Sequence, residues 1–550
     1  MNRITITLPN GKTLETAPGT RAIDFIDALT DAPETVYAVR VNNMICSLNK
    51  SLQTDSIVEP VIAKSKDGAE VYRRTLCFVM EAAMHEIDPN YRLLIGHSLG
   101  YGYYYTLADG NGIHPPLIEK LKVKMAELIS KNLPIETFSL SYQQAMELFE
   151  QEGLTDTRNL MHYKCPPRVQ LNILGDFKEM YFAPLLVSTG YLKTWEIIKY
   201  GNGFLLRFPT SQDPDHLTEF HDIPELFKTY ERYKKWGKQI GVTTAASLNE
   251  LVANRKVNDF ITISEIFQQK CIADIAQEIQ NRGKVKLVLI AGPSSSGKTT
   301  SAKKLALELQ AIGYTPKVIS LDSYYIGRNK TPIGEDGKPD YECLEALNVP
   351  LINQNLLDLF DGKEITLPEY DFKTGVSSIT GPKMQLGEND IVIMEGIHGL
   401  NDKLTPSIKP QNKFKLYLSP LTQLNFNEHN RISTSDNRLI RRIVRDSQFR
   451  GKSAAGTISM WENVQKGERL YIFPFQNNAD AILNTALDYE LSVLKIFAEP
   501  LLKMVTPMEK EYSEACRLLR FLDVFPTIDP TEVPERSILR EFIGHSKFKY

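Results

Sequence analysis

The rhythm of apolar and polar positions changes several times along the chain. Positions 2–8 alternate, Pro9-Asn10-Gly11-Lys12 turns, and 13–16 alternate again, a pattern that predicts a β-hairpin. A short helix over 22–29 and more strand over 37–46 complete a small α+β module ending near Ala63. Helical spacing returns over 72–85 and 117–131, with strand-like stretches at 95–105 and from Leu133-Pro134-Ile135 onward. Residues 227–238 interleave Lys228, Arg232, Lys234, Lys235 and Lys238 with Tyr230, Tyr233 and Trp236. Such interleaving can stack and neutralise single-stranded nucleic acid, but an amphipathic helix with inward aromatics is the first expectation. A helical connector over 243–283 follows, with Ile263, Ile266, Phe267, Ile272 and Ile275 as its apolar positions. From residue 284 strands alternate with helices. Strands are expected at 287–291, 317–321, 391–394, 414–418 and 481–483, which reads as a parallel α/β sheet. Residues 485–550 read as mostly helical, with a proline-rich break over 525–534.

The strand at 287–291 leads into Gly292-Pro-Ser-Ser-Ser-Gly297-Lys298-Thr299, a complete G-x-x-x-x-G-K-[ST] loop. Behind it Ala302, Leu305, Ala306, Leu309 and Ile312 recur at helical spacing, and Gly313 follows as a stop. Strand, glycine loop and helix in that order aim backbone N–H groups and the positive end of a helix at a bound phosphate. Gly292, Ser294, Ser295, Ser296, Gly297, Lys298, Thr299 and Thr300 are therefore the expected nucleotide-binding residues. Lys298 would reach the β- and γ-phosphates and Thr299 would ligand Mg2+.

Composition changes this picture little. Hydrophobic residues are 42% and charged residues 24% of 550, as in ordinary globular protein, and the net charge of −3 gives no overall field for nucleic acid. At about 150 residues per domain, three or four domains are expected. Cys46, Cys77, Cys165, Cys271, Cys343 and Cys516 form no C-x-x-C pair, which favours a reducing, cytoplasmic setting. The first residues show no signal-peptide pattern, and no apolar run approaches the ~20 residues needed to span a bilayer.

The module over 1–64 resembles the TGS domain of threonyl-tRNA synthetase. Ile95-Gly-His-Ser-Leu-Gly-Tyr-Gly-Tyr-Tyr-Tyr105 resembles the G-P-x-x-x-x-G-F-Y-Y region of that enzyme's editing domain, and Ser188-Thr189-Gly190 its S-T-G. The resemblance implies an H-x-x-x-H pair on the first helix and a Cys and a His near the S-T-G. In this chain those four positions are Arg74, Phe78, Tyr181 and Leu185, side chains that cannot hold Zn2+ or orient a hydrolytic water. His85, His97, His114 and His162 lack ligand spacing. An editing-like fold without metal ligands is therefore expected over 65–242.

Four stretches beyond the phosphate loop resemble uridine kinases of the uridine kinase/phosphoribulokinase family, over about 284–484. Asp322-Ser323-Tyr324-Tyr325 follows a strand, and the carboxyl ends of parallel strands are where ligands bind. The resemblance makes Asp322 the acid that activates the acceptor hydroxyl and Tyr325 a wall of the nucleoside pocket. Glu395, after the apolar run 391–394, matches E-G-I and would hold Mg2+ or its water. Asp340-Tyr341-Glu342 and Tyr370-Asp371-Phe372 resemble F-D-H-P and Y-D-F. They imply that Glu342 takes the ribose diol and that Tyr370 contacts base or sugar. Cys343-Leu344 and Gly375 stand where the family has His-Pro and a base-contacting histidine, and Gly375 is expected to leave open space. Arg438-Leu-Ile-Arg441-Arg442-Ile-Val-Arg445-Asp446 matches R-L-x-R-R-x-x-R-D, and Arg450-Gly451-Lys452 follows. Positions 438, 441, 442 and 445 share one helix face, where an exposed stripe of arginines requires phosphate or carboxylates to neutralise it. The resemblance assigns Arg442 to the sugar and Arg445 and Arg450 to the transferring phosphoryl.

The expected architecture is an α/β P-loop kinase domain, a parallel sheet flanked by helices, preceded by two α+β domains. The boundaries are 1–64, 65–242, a connector over 243–283, the kinase over 284–500 and a helical tail over 501–550. The expected activity is ATP- and Mg2+-dependent phosphorylation of a nucleoside 5′-hydroxyl, with uridine or cytidine first. A kinase for another small alcohol and an RNA-binding ATPase are the alternatives. The expected partners are a nucleoside substrate, tRNA or RNA at the N-terminal half, and a second copy of the chain, with no membrane.

Overall fold

The structure, a computed structural model, describes residues 3–334, 337–371 and 373–549. Asn2 of the first alternating stretch and Phe372 of the Tyr-Asp-Phe motif lie outside the described residues. The predicted hairpin pairs Ile4 with Thr16 and Thr7 with Thr13. It forms the edge of a five-stranded sheet ordered Thr13–Thr16, Ile4–Thr7, Ser56–Ile62, Val36–Val41 and Met44–Cys46. The stretch expected as one strand over 37–46 is two. Asn42 and Asn43, at φ 47° and 61°, turn the chain between them, and asparagine tolerates that left-handed region.

The helix expected over 72–85 runs Lys66–Ile87, because Ser65 caps it by accepting from the Gly68 N–H at 3.0 Å. It shares a core with a four-stranded antiparallel sheet ordered Glu196–Tyr200, Gly203–Arg207, Gly102–Leu107 and Leu93–Ser98. The stretch 95–105 is thus a hairpin, not one strand. A three-stranded sheet of Phe177–Glu179, Arg168–Leu174 and Glu136–Ser141 lies beside it.

The basic-aromatic stretch is the helix Pro224–Ile240, and its aromatics face inward. Tyr230 and Tyr233 are buried, and Trp236 stacks on Phe267 with ring centroids 4.5 Å apart and planes 6° apart. Those rings are already taken by protein, which removes them as a stacking platform for bases. Phe267 belongs to the helix Val257–Arg282, whose Cys271, Ile272, Ile275, Ala276 and Ile279 pack on the C-terminal sheet. Ile263 and Ile266, counted among its apolar positions, are exposed instead.

The C-terminal sheet is parallel and ordered Thr315–Ser320, Asp390–Glu395, Leu287–Ala291, Lys413–Ser419 and Ala481–Asn484. Its central strand is buried along its length, as expected where helices cover both faces of a sheet.

A segment between the fourth strand and the helix Thr434–Arg450 reaches across to the front half. The Glu428 carboxylate accepts from the N–H groups of Asp156 (2.8 Å) and Thr157 (3.2 Å) and from the Thr157 hydroxyl (3.0 Å). It thereby caps the positive end of the helix Thr155–Lys164. Asn425 donates to the Ile95 carbonyl (2.7 Å) and Asn430 to that of Met180 (3.0 Å). The Nδ1 of His429 lies 2.6 Å from Glu179 Oε2 and 3.7 Å from Glu81 Oε2, with all three side chains buried. Burial alone would lower the His429 pKa, but Glu81 and Glu179 outweigh it and raise it to about 10. Burial raises the Glu81 carboxyl to about 8 against the pull of His429.

Candidate active site

The chain leaving the buried strand Leu287–Ala291 must turn before the helix Lys298–Ala311 begins. Ser295 at φ 60° and Gly297 at φ 81° make that turn. Three successive carbonyls of the loop are taken from outside. Arg438 Nε donates to Ser294 O (2.9 Å), Arg441 Nη1 to Ser295 O (3.3 Å) and Thr485 Oγ1 to Ser296 O (2.7 Å). In a trans peptide the following N–H points the opposite way, so those of Ser295 and Gly297 face the inside of the loop. That is the arrangement of an anion nest. The hydroxyls of Ser295 and Ser296 are buried with no hydrogen-bond partner among the described residues.

Lys298 lies over the loop, donating to Gly292 O (3.0 Å) and Pro293 O (3.2 Å). Burial lowers its pKa, opposed by Glu395, Asp322 and Glu541, while Arg445 adds to the lowering. These five groups are therefore gathered within electrostatic reach of one another. Strand register explains part of this, since Glu395 pairs with Ile290 on one side and Ser320 on the other. Glu395 Oε1 accepts from Ser320 Oγ (3.1 Å) and lies 3.4 Å from Thr299 Oγ1. Asp322 follows in the single turn Leu321–Tyr324. It is wet on its cleft side but enclosed by protein elsewhere, and that enclosure raises its pKa against Lys298 and Arg450.

Tyr325 and Tyr370 meet with ring centroids 5.4 Å apart. Burial first, then Asp322 and Glu342, raise the Tyr325 pKa. Glu342, also open to the cleft, is raised by its enclosure and by Glu468, and lowered by Lys298 and Arg442. Lys298, Asp322, Tyr325, Glu342, Tyr370 and Glu395 are thus linked to one another by ring contact or electrostatic reach. Arg442 joins them by donating to Ser294 Oγ (2.8 Å).

The arginine helix differs from its expected form. Arg438, Arg441 and Arg442 are buried rather than an exposed stripe, because carboxylates meet them. Arg438 pairs with Glu468, Arg441 with Glu490 (2.5 Å) and Arg442 with Asp446 (3.2 Å). Asp446 also holds Arg445 (3.4 Å) and Arg450 (3.5 Å), the latter half exposed. Arg438 and Arg441 thereby serve the loop's shape.

The space expected beside Gly375 does not exist. Gly375 sits at φ 73°, and a Cβ there would lie 2.7 Å from both Cβ and Nε of Arg328. The Arg328 side chain fills the place, and the Arg328 backbone N–H donates to Gly375 O (2.9 Å).

Two participants carried no signal in the sequence. Glu468 accepts from the Ser294 N–H (3.1 Å) and from Arg438, from a helix, Trp461–Tyr471, with no motif. Glu541 lies over 200 positions from the loop, yet it accepts from Thr300 Oγ1 (2.6 Å) and the Thr300 N–H (3.3 Å). Ile538 beside it presses on Gly297, its Cγ2 2.6 Å from where a Cβ would stand.

The editing-like positions also converge. Phe78 and Tyr181 pack edge to face at 5.8 Å, Arg74 donates to Pro184 O (2.8 Å), and Leu185 is buried in the same core. The Tyr181 hydroxyl donates to Glu81 (2.8 Å).

Residues 287–492 match the model of the Phosphoribulokinase / Uridine kinase family. The front of the chain is similar to threonine–tRNA ligases. That of Pelobacter propionicus is 27% identical over 205 residues, 37% of this chain and 32% of the relative. That of Clostridium tetani is 25% identical over 212 residues, 36% of this chain and 32% of the relative. The chain spans about a third of the length of these curated relatives. Among solved structures, a possible uridine kinase from Bacillus stearothermophilus matches at 20% identity and TM-score 0.25, over 40% of this chain and 100% of the other. D-glycerate 3-kinase from Cryptococcus neoformans matches at 16% identity and TM-score 0.19, over 49% and 87%. The chain therefore joins a front segment similar to about a third of threonine–tRNA ligases to a segment, residues 287–492, that matches the Phosphoribulokinase / Uridine kinase family.

Proposed function

We propose that this chain transfers the γ-phosphoryl group of ATP to the 5′-hydroxyl of a ribonucleoside, uridine or cytidine first. The observation that carries the reading is the electrostatic reach that links Lys298 of the phosphate loop with Asp322 and Glu342. Asp322 takes the proton of the acceptor hydroxyl, and its raised pKa suits a base. The oxygens of Thr299 and Glu395, 3.4 Å apart, fit Mg2+, which is held through a carboxylate, waters and substrate phosphates. Thr299 and Glu395 would hold Mg2+ there, and it would supply positive charge to the transferring phosphates. Lys298, Arg445 and Arg450 stabilise the charge that remains, and Tyr325, Tyr370 and Arg442 position the nucleoside.

Glu342 has two carboxylate oxygens to offer a vicinal diol. Ribonucleosides are expected to exceed 2′-deoxynucleosides in kcat/KM, and Glu342→Ala to shrink that preference about tenfold, the value of one hydrogen bond to a charged group. ATP consumption against nucleosides, deoxynucleosides, sugar phosphates and tRNA tests the whole reading. Turnover with a sugar phosphate alone would overturn the nucleoside assignment. Response to tRNA alone would favour the RNA reading, which the similarity to threonine–tRNA ligases supports.

Glu541 occupies two donors in the first turn of the loop's helix, where a nucleotide phosphate would bind. Glu541→Ala is expected to lower the KM for ATP about tenfold, since a charged competitor for those donors is removed. An unchanged KM would show that nucleotide does not contend with this carboxylate.

A further inference from the structure

A cavity of about 1030 Å3 lies between the two halves; Pro293, Arg438 and Glu468 bring it up to the phosphate loop, but Lys298, Asp322 and Glu342 do not line it. Nine lysines and arginines line it against four carboxylates, so its field favours an anion. Two of those carboxylates are already engaged, Glu468 by Arg438 and Asp436 by Arg517 (2.7 Å). Arg73, Arg74, Arg431 and Arg469 also line it, and among the described residues none of them has a carboxylate within ion-pair distance. Glu70 offsets part of the charge of Arg73 and Arg74 without forming an ion pair, and partly buried cations that lack a full ion pair are costly to keep. Two are held in place by aromatic faces, Arg73 over Phe208 at 5.3 Å and Arg431 over Tyr103 at 5.1 Å. Their guanidinium orientation is thus set before any ligand arrives.

We propose that this cavity binds a polyphosphate-bearing small molecule, a nucleoside polyphosphate, with Arg73, Arg74, Arg431 and Arg469 as its phosphate ligands. Arginine suits the task because its planar fork pairs with two phosphate oxygens. The volume accommodates a nucleotide, and Tyr101 lines it with a ring that a base can meet. The site draws on both halves. Arg73 and Arg74 come from the helix Lys66–Ile87, and Arg469 from the helix that supplies Glu468 to the phosphate loop.

The test is equilibrium dialysis of the full chain with the four ribonucleoside triphosphates and, separately, inorganic tripolyphosphate. Wild type is expected to take up two nucleotides per chain. Lys298→Ala weakens one site, while Arg431→Gln and Arg469→Gln, tested singly, each weaken the other at least tenfold. The two arginines sit on different elements, and thermal unfolding confirms that each variant folds. Equal affinity for tripolyphosphate identifies the phosphate chain as the whole ligand. A nucleotide preference brings in the Tyr101 ring. Uptake of one nucleotide per chain, uptake unaffected by both arginine variants, or binding only to RNA would overturn the proposal. None of these outcomes depends on phosphoryl transfer, so the catalytic reading stands or falls separately.

Discussion

In a Lys298→Ala variant, kcat is expected to fall by at least the ~10²–10³-fold typical of one lost transition-state charge contact. The lysine is the central cation of the cleft: burial lowers its pKa, and Glu395, Asp322 and Glu541 oppose that lowering. Removing it also leaves those carboxylates facing one another. Asp322→Asn is the companion variant. It keeps the size and hydrogen-bonding reach of the side chain but cannot take a proton. It should cut kcat with little change in the KM for ATP. In wild type the acid limb of the kcat–pH profile should lie above the ordinary aspartate range, because enclosure raises the Asp322 pKa. Near-normal kcat in Asp322→Asn would remove it as the base and leave positioning as its role.

The largest effect on stability is expected from His429→Ala. It leaves Glu179 and Glu81 buried at the junction of the halves without their cation. Breaking a buried charge pair on one side costs about 3–5 kcal/mol. The loss should appear as a lower unfolding midpoint in urea. The same network sets a pH dependence. The folded His429 pKa is raised to about 10, so its stabilisation is complete below the ordinary histidine value near 6.5 and is lost as pH rises towards 10. Glu81, raised to about 8, has the same sign, because ionising it in place costs stability above its ordinary pKa. Wild-type stability should therefore decline from about pH 4.5, where Glu81 begins to contribute, to about pH 10, where His429 has lost its charge. A flat profile there would mean that the trio does not hold one charge in common.

How much of this was readable in advance follows from sequence distance. The phosphate loop, Asp322 and Glu395 lie at strand ends, where apolar runs mark the strand and the acid after it marks the site. The five strands of the C-terminal sheet fell within two or three residues of their expected places for that reason. The arginine helix was legible as a face but not in its environment. Spacing shows that Arg438, Arg441 and Arg442 align, but Glu468 and Glu490, which bury them, stand 30 and 49 positions away. Gly375 misled because absence of a side chain was read as absence of matter, whereas Arg328 occupies the place. Glu541 has no local signature at all, since a single carboxylate in a four-residue helix looks like any surface acid. Pattern reports what neighbours in the chain do together. Contacts closed only by folding leave no mark in it.

The contact between Glu179 and His429 has a consequence for the making of the protein. The two residues are 250 positions apart, and Glu428 stands 272 positions beyond Asp156. At about 5–20 residues per second, the ribosome delivers the histidine roughly 10–50 seconds after the glutamate it neutralises. Through that interval the helix at Thr155 lacks its Glu428 cap, and Glu81 and Glu179 lack their cation. The first half of this chain therefore finishes folding only when a short segment of the second half is born.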